Sequence, residues 1–161
     1  MILMNDEAAR LNSLYVETYH RKFEFDNFEH KIRLQEMAYI LTTIGIARLP
    51  KQEWYVKGPF SFHISTLGYE IKECKNPPCY LLSQLEMERI SKLRKEFSDD
   101  MYDFDKIELL VSVVYAMREY CMTDTREIME WILGKKPWYE KKDIREMIQK
   151  VMVNRELFRI R

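Results

Sequence analysis

Cysteine and histidine, the residues that most often carry catalysis or bind metals, are few and scattered in this chain. His20, His30 and His63 form no i, i+4 pair with one another or with a cysteine. Cys74 and Cys79 are spaced like half of a zinc site, but no second pair of ligands accompanies them. A count of three thiols is odd and low, which is typical of reduced cysteines in the cytoplasm. We therefore expect no metal, no cofactor and a cytoplasmic location.

Neighbouring acids are abundant, yet their surroundings favour structural roles. Asp99 with Asp100, and Asp103 with Asp105, could share acid–base chemistry only if burial or proximity separated their pKa values. They stand in linker or cap positions, where solvation and the helix dipole explain acidic side chains. The chain also lacks the G-x-S-x-G, phosphate-loop and dinucleotide-binding patterns. The sequence therefore predicts that the protein is not an enzyme.

The most informative segment surrounds a Gly-Pro pair. Gly58 permits a positive φ or a close backbone approach, and Pro59 fixes the next φ, so the pair predicts a rigid turn. Tyr55 and Phe60 flank this turn and are expected to pack it onto the helix that contains Tyr39. Two interpretations stay open: the turn presents aromatic side chains to a ligand or partner, or it only fixes the angle between a strand and a helix.

Length and composition predict a helix-rich fold. The chain has 161 residues, of which 47% are hydrophobic, and only four are glycine, so it can bury a substantial core and has few turn residues. Apolar periodicity and cap residues predict helices over 6–20, 28–46, 60–67, 83–97, 105–120, 124–134 and 138–154, and strands over 53–56, 69–73 and 79–82. The last two strands would form a hairpin whose tip is 74–78.

These elements give a mainly α (α+β) fold with a winged-helix-like strand and hairpin element in the middle and a C-terminal helical cap. We expect two parts, 1–97 and 104–161, joined by an acidic linker over 98–103 and forming one compact unit. No run of about 18 apolar residues is present, and the N-terminus lacks a secretory signal, so no membrane association is expected.

Two ordered motifs resemble a known family. The helix from Lys31 to Leu41 resembles the R-L-x-L-Q-K-x-x-Y-L-L helix of YwgA-type uncharacterised proteins, and residues 54–61 are similar to their W-Y-x-x-G-P-Y-S turn. Residues 106–110 and 134–137 also look like later segments of that family. More distantly, the Leu-Gln helix and the Gly-Pro turn resemble SocA-like antitoxin (Panacea) domains. The resemblance implies a largely helical fold with a small winged or hairpin element, no established catalytic residues, and regulation through protein binding.

We therefore expect a small non-enzymatic regulatory or protein-interaction module, of antitoxin-like or mobile-element type. Its expected contacts with a partner protein lie around five residues near the Gly-Pro turn and on the preceding helix: Gln35, Tyr39, Tyr55, Gly58 and Phe60. Pairing with a second copy of the chain is left open.

The alternative function is a winged-helix transcriptional regulator that binds nucleic acid. The order of helix, strand, short helix and hairpin is that of a winged helix-turn-helix. Lys57 before the turn, and Lys72 and Lys75 near the hairpin tip, would contact phosphates. However, the short helix that would enter a DNA groove, 60–66, contains no Lys or Arg, and the 26 basic residues are balanced by 26 acidic ones.

Overall fold

The fold is mainly helical, with one small hairpin in the middle of the chain, as the sequence predicts. A computed structural model describes residues 4–55 and 58–161. In these ranges the elements are α1 (Asp6–Tyr19), α2 (Phe28–Thr43), β1 (Glu53–Tyr55), β2 (Gly58–Phe60), α3 (Phe62–Glu73), α4 (Gln84–Tyr102), α5 (Phe104–Glu119), α6 (Thr125–Lys135) and α7 (Lys141–Val153). None of the helices described is both long enough and apolar enough to cross a membrane.

Side-chain caps mark the starts of helices α1 to α6, whereas α7 begins without a side-chain cap hydrogen bond. Ser83 and Glu86 form a reciprocal capping box at the start of α4: the Glu86 N–H donates to the Ser83 hydroxyl at 3.1 Å, and the Ser83 N–H donates to the Glu86 carboxylate at 2.9 Å. Ser61 caps α3 by accepting the N–H of Ile64 at 3.3 Å. These local signals explain why the predicted and observed helix starts agree closely.

Helix α5 is the centre of the fold. It packs against α2, α4, α6 and α7 and also contacts β2. Its buried side chains occupy almost its whole circumference, as the wide apolar stripe of the sequence predicts. One buried hydrophobic cluster runs from Ala8 in α1 to Phe158 after α7. The predicted parts 1–97 and 104–161 therefore share a single core.

The predicted linker over 98–103 is wrong, because α4 continues through it to Tyr102. The backbone leaves helical geometry only at Phe97, whose φ is −130° and ψ is 20°. Asp103 then caps α5 by accepting the N–H groups of Asp105 and Lys106, each at 3.0 Å. Asp99 and Asp100 thus lie within α4, and Asp103 caps α5, so the acids of this segment form no loop.

The predicted hairpin over 69–82 is also wrong. Residues 69–73 are the last turns of α3, where Leu67 and Ile71, four residues apart, lie on its buried face. Gly68 does not end this helix. A Cβ there would lie 2.6 Å from the ring of Phe25, so the glycine lets the helix approach that ring. Residues 79–82 form no strand.

The hairpin that does exist is formed by the segment predicted as a strand followed by a turn. Strand β1 pairs antiparallel with β2, and the Cα partners are Glu53 with Phe60, Trp54 with Pro59, and Tyr55 with Gly58. Gly58 and Pro59 therefore lie in a strand and not in the turn. Gly58 has a φ of +148°, a conformation that side chains with a Cβ rarely adopt.

Candidate functional site: the hairpin and its supports

Strand alternation divides the hairpin into an inner and an outer face. Trp54 and its partner Pro59 lie on the inner face. The Trp54 ring centroid is 4.2 Å from that of Tyr115 in α5 and 6.0 Å from that of Trp131 in α6. Tyr115 and Trp131 stack on each other with an interplanar angle of 9°. Three aromatic rings therefore fix the hairpin to the C-terminal helices.

A buried glutamine connects the end of β2 to α2. The Gln35 amide nitrogen donates to the Ser61 carbonyl, and the Gln35 amide oxygen accepts the Ser61 N–H, both at 2.9 Å. The same nitrogen donates to the hydroxyl of Ser65 at 3.1 Å, and Gln52 donates to the Gln35 amide oxygen at 3.1 Å. The side-chain amide of Gln35 thus bonds both the N–H and the C=O group of Ser61, as the backbone of a neighbouring strand does in a sheet. These two bonds hold the junction between β2 and α3 in one position.

Three aromatic side chains adjoin one another on the outer side of the hairpin and at the start of α3, and we call them the aromatic ridge: Tyr55 in β1, Phe60 in β2 and Phe62 in α3. Tyr55 is 68% exposed and Phe62 is 83% exposed, while Phe60 between them is half-buried. The ring centroids of Tyr55 and Phe60 are 6.0 Å apart, and those of Phe60 and Phe62 are 5.0 Å apart. The ridge is thus a continuous apolar surface, and the contacts of Trp54 and Gln35 on the opposite side hold its backbone in place.

The residues predicted to contact a protein partner divide into two groups. Gln35 and Tyr39 are buried, and Gly58 is buried within β2, so none of these three presents its side chain or backbone at the surface. Burial and the nearby Glu119 carboxylate raise the pKa of Tyr39, whose hydroxyl lies 3.5 Å from that carboxylate. Tyr55 is exposed, and Phe60 is partly exposed.

Phe62 was not predicted as a contact. Its position directly after the cap Ser61 was a sign that its side chain is exposed, because the first residue of a capped helix lies at the end of that helix.

The lysines predicted to contact nucleic acid are not grouped at a hairpin tip. Lys72 lies in the last turn of α3, with its ammonium 3.9 Å from the carboxylate of Asp26. Lys75 lies in the exposed loop that follows α3. Lys57 falls outside the described residues. The hairpin that would have carried Lys72 and Lys75 does not form.

A charged cluster lies behind the hairpin. The buried Lys136 places its Nζ atom 3.0 Å from the carboxylate of Glu108 and 3.1 Å from the hydroxyl of Ser112, and 5.7 Å from the ring centre of Trp54. Glu36 is also buried, and burial together with the negative charge of Glu108 raises its pKa well above the usual value. Sequence reasoning missed this cluster, because its members come from α2, α5 and the end of α6.

The described residues offer no metal site. Across 4–55 and 58–161, no three His, Cys, Asp or Glu side chains are grouped so that they could hold an ion. Cys74, Cys79 and Cys121 are free thiols. The chemistry that the hairpin offers is therefore apolar contact by exposed aromatic rings.

Comparisons with known proteins identify no relative. No family model matches the chain, and neither a curated protein nor a solved structure is detectably similar to it. The resemblance to YwgA-type proteins and to SocA-like antitoxin domains stays a prediction from the motifs alone.

Proposed function

We propose that this protein is a small, non-enzymatic regulatory module of the cytoplasm that binds another protein through the aromatic ridge. The observation that carries the proposal is the exposure of Tyr55 in β1 and Phe62 in α3 on either side of Phe60, next to a hairpin that Trp54 and Gln35 hold in place. A regulatory role of antitoxin-like type is what the sequence motifs imply, and it agrees with binding through such a surface.

Aromatic rings that are exposed to water gain free energy when a partner covers them. Each Phe or Tyr ring buries about 150–250 Å² on contact, so the ridge can supply the centre of an interface. Such aromatic anchors carry most of the binding energy in protein complexes. Because the hairpin is already fixed on its inner face, binding does not have to order its backbone, and less of the interaction energy is lost. The partner we expect therefore presents an apolar cleft that receives two or three rings.

The test compares two double variants. Tyr55→Ala with Phe62→Ala removes the exposed rings of the ridge, and Leu81→Ala with Leu85→Ala removes exposed apolar side chains elsewhere. We expect the ridge variant to fold normally by circular dichroism and to bind the copurifying partner at least about 30-fold more weakly, because the loss of even one anchor residue costs about 2 kcal/mol or more. The control variant should bind like the wild type.

The proposal fails if the ridge variant retains its partner while the Leu81 and Leu85 variant loses it. Sedimentation of the purified protein examines pairing with a second copy. If the ridge binds a second copy, the wild type is a dimer and the ridge variant a monomer at the same concentration.

The alternative function, a winged-helix regulator that binds nucleic acid, has less support. It needs a basic hairpin next to a groove-entering helix, whereas residues 69–82 form the end of α3 and a loop. We therefore place protein binding first.

A further inference from the structure

A basic groove lies between α4 and the segment that follows α7. Its volume is about 660 Å³. Five cationic side chains line it: Arg89, Lys92, Lys95, Arg155 and Arg159. Two acids, Glu96 and Glu156, share the lining, which leaves an excess of three positive charges in a chain with no net charge. In the ranges 4–55 and 58–161, none of the five cations is ion-paired with a carboxylate.

Two of the guanidinium groups converge at the end of α2. A Cβ built on Gly45 would lie 2.6 Å from an Arg89 nitrogen and 3.4 Å from an Arg159 nitrogen. Both guanidinium groups therefore lie close to the backbone of Gly45. Arg89 donates to the Gly45 carbonyl at 2.7 Å, which holds its side chain in place. Like charges brought together at a surface repel each other unless an anion lies between them. Guanidinium groups bind carboxylate and phosphate anions through paired, charge-assisted hydrogen bonds.

The remaining cations extend this site along α4. Arg89, Lys92 and Lys95 follow one another at intervals of three residues, so they cover about 9 Å of one side of the helix. Lys95 also borders a neighbouring depression that is lined by Arg21. The positive charge is therefore arranged as a track and not as a single point, which suits a ligand with repeated negative charges.

We propose that this groove, which we call the α4 groove, binds the phosphate backbone of a nucleic acid without reading its sequence. The groove contains no aromatic residue among its lining side chains, whereas the centres of protein interfaces are rich in aromatic groups and poor in charge. Binding by lysine and arginine side chains alone is what sequence-independent contact with nucleic acid requires. The proposal is independent of the aromatic ridge, because no residue of the ridge lines the groove.

The test measures how affinity for DNA depends on salt. The probe is a fluorescently labelled random duplex of about 20 base pairs, and the variant is Lys92→Gln with Lys95→Gln, both exposed positions. If all five cations contact phosphates, raising the salt from about 50 to about 200 mM lowers the wild-type affinity about 500-fold. The variant then loses only about 40-fold, because two fewer counterions are released on binding.

The matched control is Lys72→Gln with Lys75→Gln, which changes the net charge by the same amount at the end of α3. We expect it to keep the wild-type salt dependence. The proposal is overturned if the control loses as much of the salt dependence as the groove variant, or if the wild type does not bind the duplex at about 50 mM salt.

Two further probes separate the sources of phosphate. Inorganic phosphate alone should compete only at concentrations far above that of the duplex, because it contacts one part of the track. Vesicles that contain phosphatidylserine should bind no better than neutral vesicles. Binding to these acidic vesicles without binding to DNA would overturn the proposal.

Discussion

Replacing Gln35 should lower the free energy of unfolding, and the hydrogen bonds of its side chain give the expected amount. In Gln35→Ala the buried N–H of Ser61 loses its partner, and the Ser61 carbonyl keeps only the N–H of Ser65, at 3.3 Å. The unsatisfied N–H costs roughly 1–3 kcal/mol and the hydrogen bond lost by the carbonyl about 1 kcal/mol, so we expect a total loss of about 3 kcal/mol. For a chain of this length that loss lowers Tm by about 9 °C.

The measurement is urea denaturation followed by circular dichroism, with Gln149→Ala as the control. Gln149 is exposed, so its replacement should change the unfolding free energy by less than about 0.5 kcal/mol.

The variant Gln35→Glu gives a second check. A protonated carboxyl group can still donate to the Ser61 carbonyl and accept its N–H, whereas a carboxylate cannot donate. The pKa of the new side chain should therefore be raised in the folded state, so the stability of this variant is retained at low pH and lost as the pH rises. A loss below about 1 kcal/mol in Gln35→Ala would refute the bracing role.

Two further predictions concern the core. Gly68→Ala should cost about 1–3 kcal/mol in urea denaturation, because its Cβ would lie 2.6 Å from the Phe25 ring; an unchanged unfolding midpoint would show that α3 and this ring are not in contact. Burial raises the pKa of Glu36 in the folded state, so the unfolded chain releases this proton first and stability falls as the pH rises above the usual glutamate value. Glu36→Gln should therefore flatten the stability profile above about pH 4.5, and a profile as steep as that of the wild type would contradict the raised pKa of Glu36.

The sequence predicts those parts of the fold that depend on short-range signals. Asn27, Ser83 and Asp124 accept backbone N–H groups at the starts of α2, α4 and α6, and each can be recognised from the few residues that follow it. The wide apolar stripe of α5 predicts its central place, because a helix that is apolar on most sides must be surrounded by other elements.

The errors occur where distant contacts decide the structure. Tyr69 and Ile71 belong to residue types that favour strands, yet they continue α3, because Ile71 packs into the core and Tyr69 contacts the ring of Phe25. Gly68 suggested a helix end, but its role is to admit that same ring, which belongs to a residue 43 positions earlier in the chain. No local pattern contains that information.

The candidate site shows the same limit at the level of single residues. Gln35 was predicted as a partner contact from its place in a motif, but motif position does not distinguish a side chain that touches a partner from one that holds the contacting segment. Its four amide contacts all lie inside the protein. The exposed side chains near Ser61 are instead those of Tyr55 and Phe62, on which the proposed contact rests.

The two proposed surfaces bind through different forces. Their contributions to binding can therefore be distinguished with one purified protein. Contact through aromatic rings removes apolar area from water, so it has a negative heat-capacity change and depends little on salt. Contact between the α4 groove and phosphates releases counterions, so it weakens steeply with salt. A complex that survives about 200 mM salt and is lost in the Tyr55 and Phe62 variant is held by the ridge. A complex that dissociates under those conditions, and whose salt dependence falls in the Lys92 and Lys95 variant, is held by the groove.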